Sequence, residues 1–197
     1  MKKLLFVPVA LALVAPLSLY TNPTDAANAQ VPATTSSTLS PLALLTKDWY
    51  HYTAKDGSYS ALFPGQPEES VRSDSSVQVT YEDRANNRGY GTYNFKLPTN
   101  LNPIVVEKNI EKVFDAIVAK TLDDYSVIGQ KKINRQGLPG REITMRGLKG
   151  NQKGLVMKAQ MFIDLKGSSM YLVMVGGENV DFPEAQAFLD SVSVAQK

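Results

Sequence analysis

The chain of 197 residues contains no cysteine. That absence removes a disulfide framework, a thiolate metal site, a cysteine nucleophile and a lipidated amino-terminal cysteine together. Histidine is nearly as scarce: His51 stands alone, so no site needing two imidazoles can form. The formal net charge is only +2, too close to neutral to argue for nucleic acid. Phosphate-binding glycine patterns are missing too, since Gly89-Tyr90-Gly91 lacks the third glycine of a dinucleotide loop. No serine has nucleophile-elbow spacing, and Gly167-Ser168-Ser169 reads as a turn. The adjacent carboxylates Asp123-Asp124 and Glu68-Glu69 do not follow calcium-loop spacing and read as solvated side chains. His51 lies near Asp48 and Asp56, but between Tyr50 and Tyr52 it reads as an exposed strand residue rather than a general base. The expectation is a protein that is not an enzyme, with no cofactor and no metal.

What is present begins with an address. Lys2 and Lys3 precede an apolar run from Leu4 to Ala15, broken by Pro8, and Ala27-Asn28-Ala29 supplies a small-x-small cleavage pattern before Gln30. The uncharged stretch is shorter than the ~20 predominantly apolar residues of a membrane span. Residues 1–29 therefore read as a signal peptide. Residues 30–46, uncharged and rich in Ser, Thr, Pro and Ala, read as a flexible linker. A single domain is expected over 47–197, exported to the periplasm, a thylakoid lumen or the extracellular space.

From Trp49 onward the pattern is one of short strands and turns. Asp56-Gly57 separates Trp49–Thr53 from Tyr59–Phe63 as a hairpin, and Asn86–Gly89 separates Val77–Asp83 from Tyr90–Phe95. Asn102 and Pro103 open a helix whose apolar positions Val106, Ile110, Val113, Phe114, Ile117 and Val118 recur at three- and four-residue spacing. Glu107, Glu111 and Asp115 fall mostly on its other side. Strands follow over Val127–Arg135, Arg141–Arg146, Leu155–Leu165 and Met170–Val175, the last apolar throughout and hence central. Pro183–Leu189 closes with a short helix, and Val192–Val194 with a strand. The order implies an α+β fold, an antiparallel sheet with helices packed on it.

Charge is unevenly spread. Residues 126–166 carry a net +7, whereas 47–125 and 167–197 each carry −3. Lys131, Lys132, Arg135, Arg141, Arg146, Lys149, Lys153 and Lys158 are the candidate partner-binding residues of this run, which also holds Lys166. A surface so charged attracts an acidic protein or anionic headgroups within a Debye length of about 8 Å. The plainer reading is a solvated sheet face whose lysines protect an edge from aggregation.

Two stretches carry a family resemblance. Asp56-Gly57-Ser58-Tyr59-Ser60-Ala61-Leu62-Phe63-Pro64-Gly65-Gln66-Pro67 resembles the opening motif of the PsbP-like superfamily, and Leu138-Pro139-Gly140-Arg141-Glu142-Ile143 resembles a strand start of its secreted bacterial members. The element order is similar too, over residues 48–195. The resemblance implies a central antiparallel sheet flanked by helices, an α/β/α sandwich, without catalytic activity. It implies a binding role as well, because the family includes extrinsic lumenal proteins of photosystem II, an intracellular binder of a small GTPase and bacterial envelope proteins. The chain lacks the lipobox cysteine of many bacterial relatives, and no histidine-containing site matches their metal ligands.

The function expected is thus an exported, non-enzymatic binding module that docks on an acidic protein partner, a membrane complex or anionic membrane headgroups. The rival is an envelope protein holding a small apolar ligand between sheet and helix, lined by Met157, Met161, Met170 and Met174; as core residues these thioethers fill sheet–helix gaps equally well. Mass spectrometry of the exported protein should find a chain beginning at Gln30. A full-length chain retained in the membrane contradicts the leader reading.

Overall fold

The computed structural model describes Thr46 and residues 48–97, 102–121 and 124–195. The expected leader and all of the expected linker except Thr46 lie outside the described residues, as does Asp123. The apolar stretch around Met170–Val175 becomes β9 (Ser169–Gly177), buried along its whole length at the centre of a seven-stranded sheet. Its neighbours are β5 (Arg88–Lys96) and β8 (Val156–Asp164). Outward from β5 lie β4 (Val77–Asp83) and β3 (Glu68–Val71); outward from β8 lie β7 (Leu138–Gly147) and β6 (Tyr125–Arg135). Every pairing is antiparallel.

Period-two alternation sorts the side chains onto two faces. One face, with Ile143, Met145, Met157, Met161, Met170 and Met174, packs on Phe114, Ile117 and Val118 of helix α2 (Ile110–Thr121). Burying each of those three helix side chains contributes about 2 kcal/mol. The opposite face, with Tyr90, Phe162, Tyr171, Val173 and Val175, is covered by a second layer. That layer is helix α3 (Pro183–Ser191) and a separate three-stranded sheet of β1 (Tyr50–Thr53), β2 (Tyr59–Phe63) and β10 (Ser193–Val194), ordered β1-β2-β10. The fold is α+β, a central antiparallel sheet with helices on both faces.

The details differ from the sequence reading in three places. The expected first hairpin forms, but it pairs with the last strand and lies on the main sheet instead of joining it. The expected single helix is two, α1 (Pro103–Lys108) and α2, parted at Asn109 with φ −123° and ψ 24°. The Asn109 amide donates to the Val105 carbonyl at 2.9 Å, a local hydrogen bond that competes with helix continuation. The short polar β3, with Glu68, Glu69, Ser70 and Val71, has too little alternation to announce itself.

The aromatic layer sets an alkaline limit. Burial pushes the Tyr59, Tyr90 and Tyr93 hydroxyls up to about 12 from an ordinary value of 10. The unfolded chain gives up these protons from about pH 10, while the folded chain holds them, so stability falls as pH rises from about 10 to about 12. The buried Tyr93 hydroxyl has no hydrogen-bond partner among the described residues. Tyr93→Phe should therefore be neutral or stabilising by up to ~1 kcal/mol at pH 7 and should flatten the alkaline fall. Denaturant titrations across that pH range check it; an unchanged alkaline slope refutes it.

Candidate docking surface

The basic run folds as the three-strand meander β6-β7-β8 at one side of the sheet. Gln136 and Gly137, at φ 51° and 80°, form the tight turn between β6 and β7 and set their register. Gly140 then passes under the Phe162 ring, where a Cβ would lie 2.7 Å from a ring carbon and 2.6 Å from the Met161 carbonyl oxygen. The two residues after it point to opposite faces. Arg141 turns toward α2, and Glu142 turns to the other side.

Arg141 is only 7% exposed at its side chain. Its guanidinium donates to Asp115 Oδ1 at 2.8 Å, to Gln130 Oε1 at 3.2 Å and to Glu111 Oε2, and lies over the Phe114 ring 5.6 Å from its centroid. Glu111 and Asp115, read as the solvent side of the helix, stay 42% and 65% exposed and reach the Arg141 guanidinium from the helix edge. Arg135 does the equivalent on the opposite face. It donates to the Leu189 and Val192 carbonyls and, at 3.2 Å, to Asp190 Oδ1, with Phe162 5.1 Å beneath. It thereby satisfies carbonyls at the end of α3.

The other candidates remain near solvent. Lys131 pairs with Glu142 at 3.0 Å, Lys132 with Glu111 at 3.2 Å and Lys149 with Asp124 at 3.5 Å, and each keeps about two thirds or more of its side chain exposed. Arg146 and Lys153 are exposed and Lys158 is half-buried; none of the three has an ion pair among the described residues.

Register places Lys131, Glu142, Thr144, Arg146, Lys158 and Gln160 on one face, the side that β9 and β5 turn to the second layer. Among them Lys131 and Arg146 are exposed, Thr144 and Lys158 half-buried and Glu142 and Gln160 buried, and from β6 and β7 only Ile133 and Leu138 join the hydrophobic core of the second layer. Thr144 lies opposite Lys158, which makes Arg146 and Lys158 diagonal cross-strand neighbours, roughly 7–8 Å apart. Glu142 is buried beside them. Burial alone would raise its carboxyl, but the Gln160 and Lys131 hydrogen bonds and the Lys158 charge outweigh it and hold the group below the usual carboxylate range. It therefore stays ionised at neutral pH and anchors Lys131. The arrangement is a polar, cationic sheet surface built around one buried, ionised carboxylate.

Elsewhere the candidates are dispersed. His51 is exposed on β1, opposite Leu62. Among the described residues, no three His, Asp or Glu side chains converge as a metal site. Met157, Met161, Met170 and Met174 are 1–5% exposed and packed against α2. A groove of about 780 Å³ opens instead by α1 and the β6–β7 turn, with Ile104, Ile110, Leu138, Ile163 and Val194 in its wall and none of those methionines. The pairing of Gln160 with Glu142 (2.8 Å) escaped the sequence reading, although alternation along β8 opposite its methionine face pointed to Lys158 and Gln160 together.

No family model matches the chain, and no curated protein does. Solved structures similar to it include cyanobacterial PsbP (CyanoP) from Synechocystis sp. PCC 6803, with TM-score 0.49 and 13% identity over 74% of this chain and 92% of that one. Protein PA94 of unknown function from Pseudomonas aeruginosa gives 0.42 and 9%, over 72% and 91%. A mutant of the protein Mog1 gives 0.44 and 7%, over 75% and 96%. These are likenesses of architecture.

Glu111→Gln combined with Asp115→Asn should cost about 2–3 kcal/mol, because it strands a buried guanidinium. Lys132→Ala should stay within about 0.5 kcal/mol. Denaturant unfolding of both variants decides, and equal stabilities would mean Arg141 does not clamp the helix.

Proposed function

We propose that the protein is an exported, non-enzymatic binding module that docks on an acidic protein surface, such as that of a membrane complex, through the cationic face of β6-β7-β8 that carries Lys131, Arg146 and Lys158. The observation that carries this reading is the diagonal pair Arg146 and Lys158, like charges side by side, neither in an ion pair among the described residues, with the nearby buried carboxylate of Glu142 already paired to Lys131. Such a pair opposes folding slightly and becomes favourable only when an anionic group is brought between its members. Lys131 and Lys153 extend the positive field on either side. The resemblance of the two sequence motifs to the PsbP-like superfamily supports a binding role, and the leader pattern supports work outside the cytoplasm, in a periplasm, lumen or extracellular space. No helix among the described residues is long and apolar enough to cross a membrane, which agrees with docking from one side.

Attraction of this kind raises the association rate and weakens with salt. Arg146→Glu with Lys158→Glu should reduce capture of partners from detergent-solubilised native membranes by roughly tenfold. Lys108→Glu, on exposed α1, should leave capture unchanged, and it and Arg146→Glu should each melt within about 0.5 kcal/mol of the parent. Lys158→Glu sets a second carboxylate beside buried Glu142 and should lower the melt, so Arg146→Glu alone must also reduce capture. Capture that ignores both the reversal and added salt would return these residues to a solvated face.

A further inference from the structure

A corner beside this face carries exposed apolar groups as well as charge. Ile128, 52% exposed, sits in the irregularity of β6 between Val127 and Gly129. Leu148, 48% exposed, follows the end of β7, with its N–H donating to the Asp124 carbonyl at 2.9 Å. Tyr125 pairs with Gly147 and Ser126 with Arg146, so Ile128 on β6 and Leu148 just past β7 lie on either side of Arg146 in register. Lys149 and Lys153 are exposed in the connection that follows, where Lys149 meets the Asp124 carboxylate at 3.5 Å.

Aliphatic side chains held in water among cations match the makeup of a peripheral membrane contact. The apolar groups enter the headgroup–acyl boundary while lysine and arginine remain among anionic headgroups. An acidic protein patch would be served by the cations alone and would leave Ile128 and Leu148 without a role. We infer that the corner formed by Ile128, Arg146, Leu148, Lys149 and Lys153 rests on an anionic lipid surface. This contact adds to the docking reading, on which it rests only for the exported setting, and Arg146 and Lys153 are shared by the two surfaces.

Co-sedimentation of the exported protein with phospholipid vesicles, neutral or containing an anionic phospholipid, tests the inference. Binding should require the anionic lipid. Ile128→Ser with Leu148→Ser should weaken it on the order of tenfold, as should Lys149→Glu with Lys153→Glu, while Lys108→Glu should not. The serine variant should keep full capture of partners from detergent-solubilised membranes, which separates this contact from protein docking. No binding to anionic vesicles, serine variants that bind as well as the parent, or a loss of detergent capture in those variants would each overturn the lipid assignment.

Discussion

A guanidinium on each face of one hairpin, buried at Arg141 and half-buried at Arg135, ties the helices to the sheet. Arg141 faces α2, takes two of its carboxylates and covers Phe114; Arg135 faces α3, takes its terminal carbonyls and covers Phe162. Arg88 repeats the device at the other end of α3, 3.3 Å from Glu184 and 3.9 Å above the Phe182 ring. Arginine suits the task because its planar fork bonds several acceptors while its face lies on an aromatic ring. Lysine at these positions would keep the charge and lose the geometry.

This constraint explains the bipolar charge of the chain. The segments of net −3 on either side of the basic run supply Glu111, Asp115, Asp124 and Asp190, and all four meet cations of the meander. Much of the apparent excess is therefore spent on internal complementarity. Arg146, Lys153 and Lys158 have no such ion pair among the described residues, and two of them share one sheet face. Lys158 helps keep buried Glu142 ionised, but setting Arg146 beside it places like charges together, and that is the reason for proposing that face as a place where something else docks.

Local pattern made much of this legible. The apolar spacing of α2, the uninterrupted hydrophobicity of β9 and the methionine face of β8 all follow from periods of 3.6 and 2. The motif residues behave as structural necessities: Asp56 accepts from the Ser58 N–H at 3.0 Å, Gly57 takes φ 67°, and a Cβ on Gly65 would meet the Tyr81 ring at 2.6 Å. Gly140, Arg141 and Glu142 likewise serve packing and internal pairing. The motifs thus carry architecture more than activity. What local pattern could not convey was long-range: that β2 pairs with β10 across some 130 residues, or that Glu111 reaches a guanidinium 30 positions away. The roles of Arg135 and Arg141 were hidden for the same reason, since a charge count does not say which charges will meet.

The central claim is a division of labour within one basic run, with Arg135 and Arg141 tying the helices to the sheet and the cationic face docking. Lysine-reactive footprinting of the exported protein, alone and bound to detergent-solubilised native membranes, tests it most directly. The account predicts that Lys131, Lys153 and Lys158 lose reactivity on binding while Lys55 and Lys108 keep theirs. Protection of Lys55 and Lys108 with Lys131, Lys153 and Lys158 still reactive would contradict it.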